Sequence, residues 1–377
     1  MLGRRGTRTD IDLLFLIEPT EGGAYASTEE LCNQLARRGL RTEILHQDAT
    51  RTFTQRAYRR FTNAEVKLGR PPLVEGWNRL IGRRLRPGQV PCRVPIWRAA
   101  ILENGLRSFL ARARPKAIVA TALSRVAWRR IRQDADAFGI PLVFYLRGHT
   151  MLPHLALGAP ADCLVVNSAS LGDAVGELGF DAHVVRSVID LSRYRVEPTR
   201  EVALVINPIP VYGRDLALEI ARLVPEIPFE LRESHAMVAT DRRALANGVG
   251  DLDNVTLLEQ TDDVEALYGR TRVLVVPYPM GDLATNRPRI VAEAQISGIP
   301  VVGSSIPGLI ESIGPGGSVV DPADPAAWAD ELRRLWTDDA YYEKLSAAAL
   351  AHASRTELDP AHIAGEFIEA LGSIVDR

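Results

Sequence analysis

Three features are scarce or missing in this sequence of 377 residues: cysteine, long apolar runs, and the His, Asp and Glu spacing of a metal site. The three cysteines, Cys32, Cys92 and Cys163, are far apart and outside any CxxC pair, so we expect free thiols. No apolar run approaches the roughly 18 residues of a transmembrane helix. The first one, Ile11 to Ile17, is too short for a signal peptide, and we expect a cytoplasmic protein.

The residues that are abundant indicate a two-domain α/β protein. Hydrophobic residues make up 46% of the chain, which can bury ample core, and the length favours two domains. Short β-branched runs alternate with amphipathic stretches, which predicts doubly wound parallel sheets. The polar, proline-bearing stretch 187–200 lies where the alternation restarts, and we assign it as the interdomain linker. This places one domain at 1–190 and a second at 201–355.

The charges are distributed unevenly. Residues 1–150 hold 27 Lys and Arg against 13 Asp and Glu, and residues 151–377 hold 18 against 34, so the two parts carry about +14 and −16. The first part would suit an anionic partner near Arg147 and the Arg-rich segments: a phosphorylated acceptor, a lipid surface or a nucleic acid. Solvated helix faces explain the excess equally well. Nucleic acid is the weakest alternative, because interleaved aromatics and a nucleic-acid-binding module are missing.

The first domain begins with a predicted βαβ unit. A strand at Ile11 to Ile17 leads into a loop with Gly22 and Gly23, a helix at 27–38 and a strand at 42–45. The two glycines allow the backbone to approach a ligand closely, or they serve turn geometry alone. The alternation continues with helices at 99–112 and 124–138 and strands at 117–121, 141–146, 163–167 and 184–185.

The most informative stretch of the second domain is 272–300. A buried strand at 272–276 is closed by prolines, and Thr285 or Asn286 can cap a helix whose first turn holds Pro288. Ligands bind at this edge of an open parallel sheet, where a capped helix offers free N–H groups. The other predicted elements are strands at 202–206, 229–232 and 255–258 and helices at 215–223, 241–247, 263–268, 325–336, 340–354 and 361–375.

Six segments, taken in order and spacing, resemble the GT-B glycosyltransferases of family 4, which are retaining nucleotide-sugar enzymes. They are the Gly22-Gly23 loop, 140–150 with His149, 165–168, 188–194, 254–277 and 290–320. The resemblance implies two Rossmann-like domains around a cleft, with the acceptor on the N-terminal side and the donor on the C-terminal side. It implies a UDP- or GDP-linked sugar as substrate, no cofactor and no metal. It also implies that a last segment, 356–377, packs back on the first domain, and the apolar stripe of its helix needs such a cover.

The sequence departs from the family pattern in the donor site. The family pairs two glutamates eight positions apart; Glu293 fills the second place and Thr285 the first. The family's basic pair falls on Asn207 and Tyr212, which leaves Arg214 as the nearest cation. Pro288 supplies no N–H, so the flanking Arg287 and Arg289 could bind the diphosphate instead, or they are surface cations. Glu293 suits a ribose diol, or it is a structural carboxylate.

These arguments define the predicted site residues. His149, Arg214 and Arg289 are the catalytic candidates, because a departing diphosphate needs positive charge and the substrates need orientation. The predicted donor-binding residues are Gly22, Gly23, Asn207, Tyr212, His235, Thr261, Thr285, Asn286, Arg287, Ile290 and Glu293.

Two alternatives to a glycosyltransferase remain open at this stage. The altered donor-site residues would permit a catalytically degenerate GT-B protein that serves as a binding or scaffolding partner. A nucleotide-sugar epimerase or phosphorylase on the same fold is the other. Release of nucleoside diphosphate only in the presence of an acceptor would identify a glycosyltransferase and distinguish it from both alternatives. The acceptor class stays open between small molecules, glycans and lipid-linked sugars.

Overall fold

The structure is a computed structural model of the 377-residue chain. It describes residues 8–18, 22–48, 84–87, 94–121, 123–157, 161–233, 237–281 and 284–374. Within these ranges the chain builds two parallel sheets flanked by helices, one from each half of the sequence.

The first sheet has eight described strands and is parallel except for one edge pair. The strands are β1 (Arg8–Ile17), β2 (Thr42–Gln47), β3 (Arg86–Pro87), β4 (Ile96–Ala99), β5 (Ala113–Thr121), β6 (Leu142–Leu146), β7 (Cys163–Val166) and β8 (His183–Val184). Their order is β3-β4-β2-β1-β5-β6-β7-β8, with β3 antiparallel to β4. Leu13 to Ile17 are fully buried in β1, as expected of an apolar strand covered on both faces. The helices of this half are α1 (Gly23–Arg37), α2 (Leu102–Leu110), α3 (Arg125–Phe138) and α4 (Ala169–Gly176).

The second sheet is parallel throughout its described strands. They are β9 (Val202–Ile206), β10 (Phe229–Arg232), β11 (Val255–Leu258), β12 (Thr271–Val276), β13 (Val301–Ser304) and β14 (Gly317–Val320), in the order β11-β10-β9-β12-β13-β14. The helices are α5 (Arg214–Leu223), α6 (Ala239–Val249), α7 (Val264–Tyr268), α8 (Arg289–Gln295), α9 (Pro307–Ile313), α10 (Pro325–Thr337) and α11 (Asp339–Ala353).

The strand order reverses once in each sheet, between β1 and β5 and between β9 and β12. In an open parallel sheet the crevice for a ligand lies at such a switch point, beyond the carboxyl ends of the strands. The loops that follow β1, β6, β9 and β12 therefore define where a site can form.

The last helix, α12 (Pro360–Leu371), leaves the second half of the chain and packs on the first sheet. Phe367 lies 6.0 Å from the ring of Phe15 and 5.8 Å from that of Tyr145, measured between centroids. Ile363 and Leu371 extend the same buried stripe. This is the cover that the apolar face of the helix requires.

Several element boundaries differ from the sequence predictions, among them the starts of three helices. Helix α1 begins at Gly23 rather than at 27, and α2 begins at Leu102 because β4 takes up Ile96 to Ala99. The predicted cap at Thr285 or Asn286 is wrong, since α8 begins only at Arg289, with Pro288 at the N-cap position and no capping side chain. A residue before proline avoids helical geometry, which keeps Arg287 out of the helix.

Two further expectations can be checked in part. Cys163 is a free thiol and Cys32 is buried, whereas Cys92 lies outside the described residues. Of the helices in the described part of the chain, none combines the length and the apolarity needed to cross a membrane.

Replacing Phe367 by Ala tests the return of the last helix to the first domain. The substitution leaves a cavity between α12 and the first sheet, and we expect it to lower the free energy of unfolding by about 3–5 kcal/mol. Denaturant unfolding followed by circular dichroism measures this loss. Leu350→Ala on α11 is the control, because Leu350 is 38% exposed and its loss creates no cavity. Equal losses for the two variants would contradict the packing.

Candidate functional site

The two halves of the molecule meet where α1 and α8 begin, just beyond the carboxyl ends of β1 and β12. Gly23 lies against the side chain of Arg289, so that a Cβ atom at Gly23 would lie 3.0 Å from Cδ of Arg289. The guanidinium of Arg289 donates from Nη1 to Oγ of Ser27, 2.9 Å away on α1. The predicted loop residue Gly23 therefore contacts the predicted phosphate-facing segment, and Gly22 before it has a positive φ of 90° at the N-cap of α1.

Arg289 forms ion pairs with carboxylates of both halves of the chain. Its Nε lies 3.1 Å from Oε1 of Glu293 in its own helix, and its Nη1 lies 3.4 Å from Oε2 of Glu30 on α1. Its Nη2 donates to the hydroxyl of Tyr194, 3.2 Å away. Burial alone would lower the pKa of Arg289, but Glu293 and Glu30 outweigh it and raise that pKa above its ordinary value. The cation is thus neutralised within the protein.

Glu293 is engaged on both carboxylate oxygens. Oε1 accepts from Arg289, and Oε2 accepts from the hydroxyl of Tyr268 at 3.0 Å. Burial and the charge of Glu293 raise the pKa of Tyr268 well above its ordinary value, so the hydroxyl remains a donor. A carboxylate has about four acceptor positions. A ribose diol could therefore still bind Glu293 by sharing its oxygens.

Arg287 turns toward a different neighbour. Its Nη1 lies 3.3 Å from Oε1 of Glu311 on α9. Glu311 also accepts the backbone N–H groups of Ala169 and Ser170, each 3.2 Å away, at the start of α4 in the first half. Although they are separated by one proline, the two arginines thus have different neighbours: Arg289 contacts α1 directly, and Arg287 is linked to α4 only through Glu311.

Several buried polar atoms beyond the strand ends have no hydrogen-bond partner within the described ranges. They are Oδ1 of Asn207 after β9, Oγ1 of Thr285 after β12, and Nδ1 of His149 together with Nε and Nη2 of Arg147 after β6. Buried polar groups are nearly always paired, so each of these needs an explanation. Their shared position beyond the carboxyl ends of the strands makes a bound ligand the simplest one.

Arg147 is the most constrained of these residues and was not among the predicted catalytic or donor-binding residues. Its guanidinium carbon lies 4.4 Å from the ring centre of Tyr145, and its Nη1 donates to the carbonyl of Ala24 in the first turn of α1 at 2.9 Å. Burial lowers the pKa of Arg147, and the nearby Arg289 lowers it further. The sequence feature that could have identified Arg147 is its position directly after a fully buried strand.

The rim of the second half is built by two loops in direct contact. A Cβ atom on Gly213 would lie 1.7 Å from the carbonyl oxygen of Pro277, so only glycine fits there, at φ 82°. This contact brings the ring of Tyr212 to 5.1 Å from that of Tyr278. Arg214 follows at the start of α5, where its Nε donates to Oδ1 of Asp215 at 2.8 Å.

The remaining predicted residues have other surroundings. Thr261 accepts the N–H of Asp263 at 3.1 Å after β11, at the far edge of the second sheet. Ile290 lies in the first turn of α8 and packs against the core. The backbone of Asn286 lies against Gly308, where a Cβ atom would be 2.4 Å from the carbonyl oxygen of Asn286. His235 lies outside the described residues.

Residues 215–338 match a family model described as glycosyl transferases group 1. A D-inositol 3-phosphate glycosyltransferase of Nocardioides sp. is 44% identical over 66 residues, which is 17% of this chain and 14% of that relative. The enzyme of the same name from Salinispora arenicola is 32% identical over 137 residues, 34% of this chain and 30% of the relative. The chain therefore matches less than a third of the length of these curated relatives.

Solved structures resemble nearly the whole chain. Anabaena Alr3699/HepE, crystallised with UDP and glucose, superposes with a TM-score of 0.72 at 16% identity, covering 96% of this chain and 100% of that one. The catalytic domain of starch synthase IV from Arabidopsis thaliana, bound to ADP and acarbose, gives 0.66 at 11% identity over 98% and 100% of the two chains. The predicted fold class is confirmed: two Rossmann-like domains in the GT-B arrangement.

Replacing Arg289 by Ala tests the role of the buried ion pairs. Glu30 and Glu293 would be left without their cation, and we expect the free energy of unfolding to fall by about 3–5 kcal/mol. Arg333→Ala is the matched control, because the pair of Arg333 with Glu226 is exposed and such pairs contribute about 0–1 kcal/mol. Equal losses for the two variants would contradict a structural role.

The same variant has a defined pH dependence. Burial raises the pKa of Glu30 even though Arg289 opposes the shift, and without Arg289 the carboxyl of Glu30 should titrate at still higher pH. A raised pKa in the folded state means that folding takes up protons as the pH falls. The deficit of Arg289→Ala should therefore shrink between about pH 7 and pH 5. Urea unfolding of the parent and of Arg289→Ala at several pH values measures this difference in the free energy of unfolding.

Proposed function

We propose that this protein is a glycosyltransferase that transfers a sugar from a nucleotide-sugar donor to an acceptor with retention of the anomeric configuration. The observation that carries the proposal is the pair of buried, unpartnered oxygens of Asn207 and Thr285. Both follow the strands that flank the switch point of the second sheet, β9 and β12. The segment that begins a few residues after Asn207 matches the glycosyl transferases group 1 model.

The donor occupies the second domain in this proposal. Structural neighbours crystallised with UDP, UDP-glucose and ADP support a nucleoside diphosphate sugar, UDP- or GDP-linked as the family resemblance implies. Thr285 and Asn207 bind polar groups of the donor, and the ribose shares the oxygens of Glu293. Tyr212 and Tyr278 form the wall beside them.

The reaction places negative charge on the departing diphosphate. Arg289 is already neutralised by Glu30 and Glu293, so it orients the two domains more than it compensates this charge. Arg214 is better suited, because its carboxylate partner is the exposed Asp215 beside it. Preorganised cations at a developing anion commonly supply the largest part of catalysis. A retaining mechanism of this family type needs no dedicated base, since a donor phosphate oxygen takes the acceptor proton.

The acceptor lies on the first domain, in front of His149 and Arg147. The two unpartnered nitrogens of Arg147 are donors without an acceptor. They favour an acceptor with an anionic or hydroxyl-rich group.

A second function is favoured by one observation. The only cation of the predicted catalytic set that bridges both domains, Arg289, is saturated with protein acceptors among the described residues. A GT-B protein that has lost catalysis and binds a partner or a nucleotide sugar would tolerate this neutralisation. Such a protein would bind the donor without turning it over.

Nucleoside diphosphate release separates these functions. The full chain is incubated with a panel of nucleotide sugars, with and without a panel of acceptors, and the released diphosphate is quantified. We expect release that requires an acceptor, and a product whose anomeric configuration by NMR equals that of the donor. Release at the same rate without acceptor would contradict transfer. Tight donor binding without release in any combination would favour the degenerate protein.

Thr285→Val distinguishes a ligand-facing hydroxyl from a structural one. Valine keeps the shape and removes a buried hydroxyl that has no partner, so stability should stay equal or rise. Donor affinity should fall by about 0.5–1.5 kcal/mol if the hydroxyl binds the donor. Calorimetry of nucleotide-sugar binding and thermal unfolding give the two readouts. Thr337→Val, at an exposed helix end, is the control; unchanged affinity in both variants would place the donor elsewhere.

A further inference from the structure

A second polar cluster lies where the chain crosses between the two domains. Arg186 stands at the start of the linker after β8, and Arg355 follows α11, where the chain returns toward the first domain. Arg287 comes from the loop after β12. We call these three residues the arginine triad. Arg287 and Arg355 meet at the end of α9, where Arg287 pairs with Glu311 and Arg355 bonds His352, whose ring contacts the carbonyl of Ser312. The charge of Arg186 acts on both.

The triad has unused hydrogen-bond donors. Nε of Arg186, of Arg287 and of Arg355 is buried and has no partner. Arg287 is bonded only through Nη1 to Glu311, and Arg355 only through Nη1 to Nδ1 of His352 at 2.8 Å, counting partners in the described ranges. Three buried N–H groups without acceptors in one place are unfavourable for an empty cluster.

The neighbouring His352 adds no charge to the triad, and it holds Arg355 in place by a hydrogen bond. Nδ1 of His352 accepts from Arg355, so its Nε2 carries the proton and donates to the carbonyl of Ser312 at 3.2 Å. Burial lowers the pKa of His352 to about 4, and Arg355, Arg287 and Arg186 contribute to the shift. His352 is therefore neutral near pH 7 and acts as a hydrogen-bond acceptor for Arg355.

The acidic groups around the triad do not balance it. Glu311 is shared with the backbone N–H groups of Ala169 and Ser170. Glu357 acts on Arg355 but is exposed, where water and salt screen it. Arg287 and Arg355 thus face one shared and one screened carboxylate.

The positions of the triad are fixed by the surrounding backbone. The hydroxyl of Tyr145 lies 2.7 Å from the carbonyl oxygen of Val185 and 2.9 Å from that of Arg186, which holds the start of the linker. Gly314, at φ 52°, lets the ring of His352 approach, since a Cβ atom there would lie 2.2 Å from its Cε1. The donors are therefore preorganised.

We propose that the arginine triad binds a phosphate-type oxyanion between the two crossing segments. Three guanidinium groups from three segments can surround a tetrahedral anion, whereas a carboxylate offers only two oxygens. Arg287, although it follows β12, turns toward Glu311, whereas Arg289 turns toward α1. The inference does not rest on the proposed glycosyl transfer.

A bound oxyanion would connect parts of the chain that determine how the domains are placed. It would join the outgoing linker at Arg186, the returning segment at Arg355 and the loop that carries Thr285. Occupancy should therefore stabilise the whole protein and not only one domain.

Calorimetry with inorganic phosphate on the full chain tests the site. We expect phosphate to bind the parent, and its affinity to fall by at least about tenfold in Arg186→Gln and in Arg355→Gln. Arg333→Gln on α10 removes the same charge from an exposed pair and should leave the affinity unchanged. Glu311→Gln frees Arg287 and should raise the affinity. Circular dichroism verifies that each variant is folded.

Further ligands identify the source of the oxyanion. If a sugar phosphate binds more tightly than phosphate and loses this advantage in Arg186→Gln, the site takes the phosphoryl group of a substrate. If both bind equally and compete, it takes the free ion. If phosphate does not bind the parent, or binds all the arginine variants equally, the proposal is overturned. If Arg186→Gln loses phosphate binding but still binds a nucleoside diphosphate, the result supports the triad and leaves the proposed donor site unaffected. The two proposals can therefore fail independently.

Discussion

The arrangement of this molecule depends on one buried cation. Arg289 stands at the start of α8 in the second domain and pairs with Glu30 of the first domain and with Glu293 of its own helix. A buried charge without a partner is strongly destabilising, so the two domains cannot separate here without exposing all three groups to water. The contact also explains Gly23, which leaves room for the stem of Arg289. The N-terminus of α1 and the start of α8 are thereby held in contact.

The arginines around this contact fall into two kinds. Arg289 is matched by carboxylates and serves the structure, whereas Arg147, Arg186, Arg287 and Arg355 each retain at least one buried N–H without an acceptor. Buried donors that the protein does not satisfy are expected where another molecule does. The distinction therefore separates residues that hold the domains from residues that can bind a ligand, and it could not be made from charge alone.

Much of the fold could be predicted from the sequence, because buried parallel strands appear as short β-branched runs. The limits of β6, β9 and β12 agree with the predicted strands within one or two residues. The start of α1 could not be predicted. No side chain caps it, and Gly23 is placed there by contact with a residue more than 260 positions away. The predicted cap of α8 failed for a similar reason: the backbone at Thr285 and Asn286 is held against Gly308 instead of continuing into the helix.

Contacts between residues distant in sequence also limited what could be predicted of the candidate site. The resemblance placed Asn207, Thr285 and Glu293 at one sheet edge, and the topology does bring the strands before them together. It treated Arg287 and Arg289 as equivalent flanks of Pro288. Their partners, Glu311 and Glu30, lie in elements that no local pattern connects to this loop. Proline between them prevents a regular helix, and the two side chains diverge, one toward Glu311 on α9 and one toward α1. The sequence of this segment suggests one phosphate-binding motif, but its two arginines differ. Arg289 is a structural cation, and Arg287 keeps a hydrogen-bond donor without a partner among the described residues.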